Sequence, residues 1–508
     1  MNNLPSPTAQ LALAGVITLA TIAWAMARGY RSVEGTTSQN FFLMNMSAGR
    51  WRIGISFATT MISAFLFIGL PGLFYSHGIG GWLYVCLPVI FGVATFQWYG
   101  TRVRKLQIES KAVSPFEALS SAYHSKWIGA VSFFITSLFV IPVIAMQLVG
   151  IGRLLEPFGV PYEMSLVVLV ILFLVYTTFA GMKGDVETDL FQGVLMAAGI
   201  VFVACLVGWY YTSGHMISGA RAVNTSFHYS LPGPNGLFTF ERLVSLAIMM
   251  SALPIAHGHY IMRFMVAKDN ITLRESMPIA AGLIFLLYLS AAIIGLAGAA
   301  VVPGLDSGDK LVGTLLSTMD QRVLGLAVLI GGVIIACIIA SALSSVDSQF
   351  LALGASAVRD VAQGVFGIRL NDREQIFGSR LVMAVIGLGA VFLALDPPQL
   401  MVQLAVFAAS GTMPLVPTFI GAACLSRPAK PEVALWSIAL GMLTFALFVI
   451  WRGADGFEGW HPGVIAFLVS AVVYVLGARL GAGQHVEHKS DGLSASDGEL
   501  PAQSSPTP

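Results

Sequence analysis

The sequence has little charge. Lys, Arg, Asp and Glu make up 10% of its 508 residues, against about 25% in soluble globular domains. The charge present is balanced, 27 basic against 26 acidic residues, for a net charge of +1. No basic block stands out, which argues against a nucleic-acid partner. Cysteine is scarce too. Cys86, Cys205, Cys337 and Cys424 lie far apart in apolar stretches, so neither metal-ligand spacing nor a disulfide framework is visible. No His-Glu-x-x-His, Gly-x-Ser-x-Gly or phosphate-loop pattern occurs, so an enzyme is not expected. What fills the chain is apolar residues, 56% of the total, with a mean hydropathy of +0.80. The expectation is an all-α polytopic membrane protein embedded in the lipid bilayer.

About 13 stretches are long and apolar enough to cross a bilayer. The first, near 11–27, has no basic residue before it and is followed by Arg28 and Arg31. It therefore reads as a span rather than a signal peptide. Clusters at Arg102/Arg104/Lys105, Arg263/Lys268/Arg274, Arg359/Arg369/Arg373 and Arg427/Lys430 fall at alternate span ends. The positive-inside bias makes those ends cytoplasmic. The N-terminus is then outside and the C-terminus inside the cell membrane. Residues 1–480 read as one transmembrane domain. The Ser/Asp/Pro-rich stretch 481–508 reads as a disordered cytoplasmic tail.

Span 2 (51–75) carries Thr59-Thr60-Met61-Ile62-Ser63 and then Gly69-Leu70-Pro71-Gly72. Span 7 (237–260) carries Pro254, and span 11 carries Gly411, Pro414 and Pro417. Broken backbone at membrane depth is tolerated only inside protein or along a wet cavity. Spans 2 and 7 are five apart, an odd offset that inverts orientation. Interrupted helices at matching places in two inverted halves point to a secondary transporter. Span 9 adds a stripe of Ser341, Ser344, Ser345 and Ser348, spaced to share one helix face. Small residues of this kind serve close helix packing, or hydroxyl ligation of a hard cation.

Three motifs carry a resemblance. They are Ile62-Ser63-Ala64-Phe65-Leu66-Phe67-Ile68-Gly69, Tyr176-Thr177-Thr178-Phe179-Ala180-Gly181 continuing to Thr188-Asp189-Leu190-Phe191-Gln192, and Ser344-Ser345-Val346-Asp347-Ser348-Gln349 running on to Arg359-Asp360. Together they resemble the sodium/solute symporter family, over roughly residues 10–480. The resemblance implies a LeuT-type 5+5 inverted-repeat core. It also implies a sodium ion held by backbone carbonyls of Thr59, Ile62 and Ser341 and hydroxyls of Ser344 and Ser345. Asp189 resembles a residue on the ion's exit path. An acid at a helix start also suits the helix dipole. Glu187 stands where the family has tryptophan.

The family's sugar transporters place acidic and amide side chains just after the broken segment. Here those positions are Phe65 and Leu66, which leave sugar hydroxyls unpaired. The expected solute is a short-chain carboxylate, with a proline-like amino acid as the alternative. Its charged end would meet the half-helix N-terminus after the break, aided by Thr60 and Ser63. Gln147 either faces this cavity or bonds a neighbouring helix. His257 and His259 read as residues near the water boundary, with proton relay as the other reading. Asp347 is expected to attract the released ion or to pair with Arg359. A transporter-like membrane solute sensor is the alternative of another class.

Overall fold

The computed structural model describes residues 7–33, 37–61, 63–214, 226–318, 327–397, 401–453 and 459–490. Among the described residues the sole β pairing is one bridge between Ala48 and Ala267; the rest is helix and short connections. Nine helices are long and apolar enough to cross a bilayer. Two bent helix pairs and two shorter apolar stretches, Thr8–Ala23 and Tyr162–Val175, join them. Among the described residues this gives nine spans, or eleven when each bent pair counts as one, against about 13 expected from hydropathy.

Both bent pairs stand where the sequence places a break. In span 2, Arg50–Met61 and Ala64–His77 meet at 64°. In span 7, Phe240–Ala256 and Gly258–Met265 meet at 52°. Pro254 inside the first half of span 7 removes one helix hydrogen bond. The chain then turns extended at His257, with φ −105° and ψ 124°. Span 2 resumes after Ser63, also extended, whose side chain accepts a bond from the Phe65 N–H. The first half of span 2 packs against span 8, Asn270–Val301. A Cβ on Gly54 would lie 2.9 Å from the Ser276 carbonyl, so the close approach of these helices requires glycine there.

Span 9, Ala327–Ser356, touches both halves of span 2, the second half of span 7 and the long helix Tyr162–Thr212. Its most apolar window is 72% buried, against 28% for the last two spans, Pro431–Arg452 and Pro462–Leu480. Span 9 is thus central, and the last two spans line the periphery.

Three local expectations change. The connection expected at 181–189 is helix: Tyr162–Thr212 runs on for 51 residues. Span 11 is less broken than expected, with a single 3₁₀ turn at Met413–Leu415 between helices Met401–Thr412 and Val416–Cys424. The final helix, Pro462–Ser490, extends past 481, where Gln484, Glu487 and Lys489 are good helix formers and proline is absent until Pro501. The remaining tail, 491–508, lies outside the described residues.

Candidate functional site

The serine stripe of span 9 is buried along its whole length. Its four hydroxyls have different partners. Ser341 donates to the Ile338 carbonyl at 2.7 Å. Ser344 donates to the Asp189 carboxylate. Ser348 lies 3.2 Å from both carboxylate oxygens of Asp185 and 3.4 Å from the Thr60 hydroxyl of span 2. The Ser345 hydroxyl is buried with no hydrogen-bond partner. Thr59 is buried, and its hydroxyl donates to the Ser56 carbonyl at 2.9 Å. Ile62, the remaining expected sodium ligand, lies outside the described residues.

Next to the stripe lies a charge cluster that the sequence reading missed. Arg263, expected at the cytoplasmic surface, is 1% exposed. Its Nη2 stands 2.6 Å from Asp185 Oδ2, 3.0 Å from Asp189 Oδ2 and 3.1 Å from Thr60 Oγ1, and it also donates to Ser348. Asp189 further accepts a bond from Ser56. These four side chains bonded to Arg263 therefore come from span 2, the Tyr162–Thr212 helix and span 9. Two carboxylates share one guanidinium, and both are fully buried. The cluster leaves a formal charge of −1 in a low-dielectric place, where a further cation is favoured. A signal for it existed. Asp185 and Asp189 are four residues apart, so on a helix they share a face; reading the segment as a loop hid this.

The Asp347 carboxylate is fully buried. Arg359, its candidate partner, binds Glu117 instead, with Nε 3.3 Å from Oε2, and Gln363 at 3.1 Å.

A small cavity of about 80 Å³ opens beside the break in span 2. Thr60, Ser63, Phe65 and Gln147 are among its lining residues. Leu66 is fully buried and is not among the lining residues. Gln147 fulfils both of its readings. It lines the cavity, its Oε1 accepts the Ala64 N–H at 3.0 Å, and its Nε2 donates to the Val143 carbonyl at 3.3 Å. The Phe65 N–H goes to Ser63 Oγ at 3.3 Å. The half-helix N–H groups offered to a solute carboxylate are thus already taken by the protein. This corrects the expected docking of the acid at that helix end.

His257 and His259 also change place. Both are buried and line the cavity rather than the water boundary, because span 7 continues beyond them as Gly258–Met265. His257 Nε2 lies 3.1 Å from Thr412 Oγ1 of span 11. Gln349, Tyr260 and Tyr288 complete the polar lining, which among the described residues contains no Asp, Glu, Lys or Arg. The remaining walls are apolar, among them Val85, Met146 and Met250.

Two bent spans, a central serine helix and a partly open cavity between them form one assembly. The sequence profile of the Sodium:solute symporter family matches residues 41–441. The chain belongs to the sodium:solute symporter family. As a member it is a multi-pass membrane protein and a sodium-coupled symporter. It is similar to the sodium/pantothenate symporter of Escherichia coli, 26% identical over 88% of this chain and 91% of that protein. The sodium/pantothenate symporter of Haemophilus influenzae is 24% identical over 89% and 92%. A sodium/proline symporter of Staphylococcus aureus is 24% identical over 89% of each. Among solved structures, a Na⁺-coupled sialic acid symporter in a substrate-bound outward-open state superposes with a TM-score of 0.72. It covers 92% of this chain and 98% of its own, at 18% identity. That likeness establishes the fold, the LeuT-type inverted repeat in which spans 2 and 7 are the paired broken helices.

Proposed function

We propose that this symporter imports a small organic acid by alternating access, with sodium bound where span 9 meets the break in span 2. The ion's ligands are the carbonyls of Thr59, Ile62 and Ser341 and the hydroxyls of Ser344 and Ser345. The observation that carries this reading is the Ser345 hydroxyl, buried and unpaired on the helix that packs against both halves of span 2. A buried hydroxyl without a partner costs stability, and a hard cation supplies one. Ser344 fits as well. A hydroxyl that donates its proton to Asp189 keeps its lone pairs for an ion. Asp189, bonded to Ser344 on one side and Arg263 on the other, is the next anionic stop on the exit path.

Three observations support an acid. Phe65 stands on the cavity wall, where a sugar would need polar partners. No acidic side chain lines the cavity, and Thr60 on its wall is bonded to Arg263. The relatives' names, pantothenate and proline, both denote carboxylic acids. The proline relatives keep a sodium/amino-acid symporter as the second reading. In the membrane, the N-terminus is outside and the C-terminus cytoplasmic, following the basic clusters.

Coupling is a difference in affinity between states. Bound sodium ties span 2 to span 9 and favours the solute-binding state; its loss to a low-sodium cytoplasm frees both. Uptake into proteoliposomes with and without a sodium gradient tests this. The Ser344→Ala, Ser345→Ala double variant is expected to reach the membrane and to lose sodium-dependent uptake. Sodium dependence that survives the double substitution sinks the site assignment.

A further inference from the structure

One carboxylate outside the serine stripe is shut away from water in the connection between spans 8 and 9. Asp309 is 1% exposed although it stands in a short 3₁₀ turn, Gly308–Lys310. Its two oxygens are treated unequally. Oδ2 accepts the Met401 N–H of span 11 at 2.8 Å and lies 3.4 Å from Arg153 Nη1 of span 4. Oδ1 is buried with no hydrogen-bond partner. It faces the second half of span 2, where a Cβ on Gly72 would lie 2.5 Å from it. One acid thus sits where spans 2, 4 and 11 meet, at the end of the bundle opposite the basic clusters. In the orientation proposed above this is the outer face. The Met401 side chain continues the junction inward. A Cβ on Gly150 of span 4 would lie 2.6 Å from its Cε, and a Cβ on Gly69 of span 2 would lie 3.2 Å from its Cβ. Gly69 in turn packs on Phe65 of the cavity wall.

An ionised oxygen buried without a donor costs far more than a neutral hydroxyl. Burial accordingly pushes the Asp309 carboxyl up to about 7, against the smaller pull of the Met401 N–H and Arg153. A metal ion is a poor fit at Oδ1, because Arg153 already brings a positive charge to the neighbouring oxygen and the Gly72 backbone closes the space. A proton needs no such room. We infer that Asp309 Oδ1 is a proton-binding site, and that its proton favours the closed form of this end of the transporter. With the proton on Oδ1, Oδ2 keeps both of its donors. When spans 2 and 11 part and water reaches the carboxyl, the acid returns toward its ordinary value of about 3.9 and the proton leaves. Closed and open forms therefore differ in proton affinity, and acid favours the closed one.

The other ionisable groups around Asp309 are engaged elsewhere. Lys310 pairs with Glu156 at 2.8 Å and with Asp306 at 3.1 Å. These pairs hold Lys310 above and Asp306 below their ordinary ranges, so neither changes charge between about pH 5 and 8. Tyr75 of span 2 donates to the Val302 carbonyl and accepts the Leu305 N–H. Tyr162, near Arg153, donates to the Ala394 carbonyl. Helices Leu311–Ser317 and Met401–Thr412 contain no ionisable side chain. His77, at the end of span 2, packs on Phe238, and His228 lies 2.9 Å from the Tyr75 carbonyl. Among the described residues on this face, these two histidines are the remaining groups that ordinarily titrate near neutral pH.

The test needs no solute. Hydrogen–deuterium exchange of the purified full-length protein in sodium is followed from about pH 5 to about pH 8, with rates corrected for the intrinsic effect of pH. Segments 303–311 and 401–406 are expected to open about tenfold more readily per pH unit up to about 7, and then to level off. Asp309→Asn cannot titrate, and its exchange in both segments is expected to be independent of pH. Asp309→Glu keeps a carboxyl and the pH dependence. His77→Gln and His228→Gln are expected to keep the full response. Melting curves give a second reading. A carboxyl raised by folding adds stability below its unfolded value of about 4 and loses that contribution as pH rises to about 7. The thermal midpoint of the unsubstituted protein, taken relative to Asp309→Asn, therefore falls across that range and is level above it. A single cooperative melt identifies a folded variant. Should Asp309→Asn not fold, Arg153→Gln removes the nearby positive charge and is expected to move the level point above about 7. A flat exchange profile in the unsubstituted protein overturns the inference. So does an unchanged profile in folded Asp309→Asn or Arg153→Gln, or a profile that His77→Gln or His228→Gln abolishes.

Discussion

The break in span 2 is closed by the protein's own groups. Gln147 takes the Ala64 N–H and Ser63 takes the Phe65 N–H. Just before the break, Ser56 and Thr60 are bonded into the Arg263 cluster. The break in span 7 is held more lightly. His257 makes one side-chain hydrogen bond, to Thr412, and leaves Nδ1 unpaired, while His259 leaves Nε2 unpaired. The two breaks occupy matching places in an inverted repeat, yet they have diverged in chemistry. A helix whose polar ends are satisfied internally is an anchor. A helix that leaves buried polar atoms unsatisfied is held by fewer bonds. Under the proposed function the contrast separates two tasks within one fold: span 2 responds to the ion, and span 7 flanks the solute cavity.

The contrast can be broken at its strongest point, Arg263. Arg263→Met leaves Asp185 and Asp189 buried with no counter-charge. Removing one partner from a buried pair costs about 3–5 kcal/mol, so the variant is expected to be largely lost from the membrane as folded protein. Adding Asp185→Asn and Asp189→Asn removes the stranded charges and is expected to recover much of the loss. Size-exclusion profiles of membrane extracts read both. Normal yield of folded Arg263→Met would show that span 2 is not anchored by this cluster.

A smaller effect is expected on the other side of the same break. Gln147→Leu strands the Ala64 N–H, at a cost of about 1–3 kcal/mol, and lowers the thermal midpoint. Gln147→Glu keeps an acceptor in place and is expected to lose less. His257→Phe, by comparison, removes one neutral hydrogen bond, about 1 kcal/mol, while transport of the solute collapses. The two breaks are alike after all if His257→Phe melts as far below the unsubstituted protein as Gln147→Leu does.

Much of this was legible in the sequence because proline and small polar residues announce broken helices. The small polar run Thr59–Ser63 and Pro254 located both bends, while Gly-Leu-Pro-Gly proved helical, and the serine spacing placed one face of span 9 in the interior. The Arg263 cluster was not legible, since charge near a span end ordinarily means water. The positive-inside bias treats Arg263 as a surface residue, and Asp185 and Asp189 look like a loop beside Lys183. Only the helical continuity of Tyr162–Thr212 puts both acids on one face toward Arg263. The histidines were misplaced for a related reason. Hydropathy fades at Tyr260, but the bent helix runs on to Met265, so His257 and His259 lie within the span and not at its edge.

The smallest expected effect sharpens the comparison most. Thr412→Val removes the acceptor that fixes the proton on His257 Nε2. The loss of one neutral hydrogen bond costs about 0.5–1.5 kcal/mol, a modest fall in thermal midpoint. The tautomer is then free. Solute uptake is therefore expected to weaken through a looser span 7 break, while sodium dependence is untouched because Thr412 is remote in sequence and in bonding from the serine stripe. Transport assays in Thr412→Val proteoliposomes, with and without a sodium gradient, check this. Unchanged uptake would mean that the Thr412 bond does not hold the span 7 break.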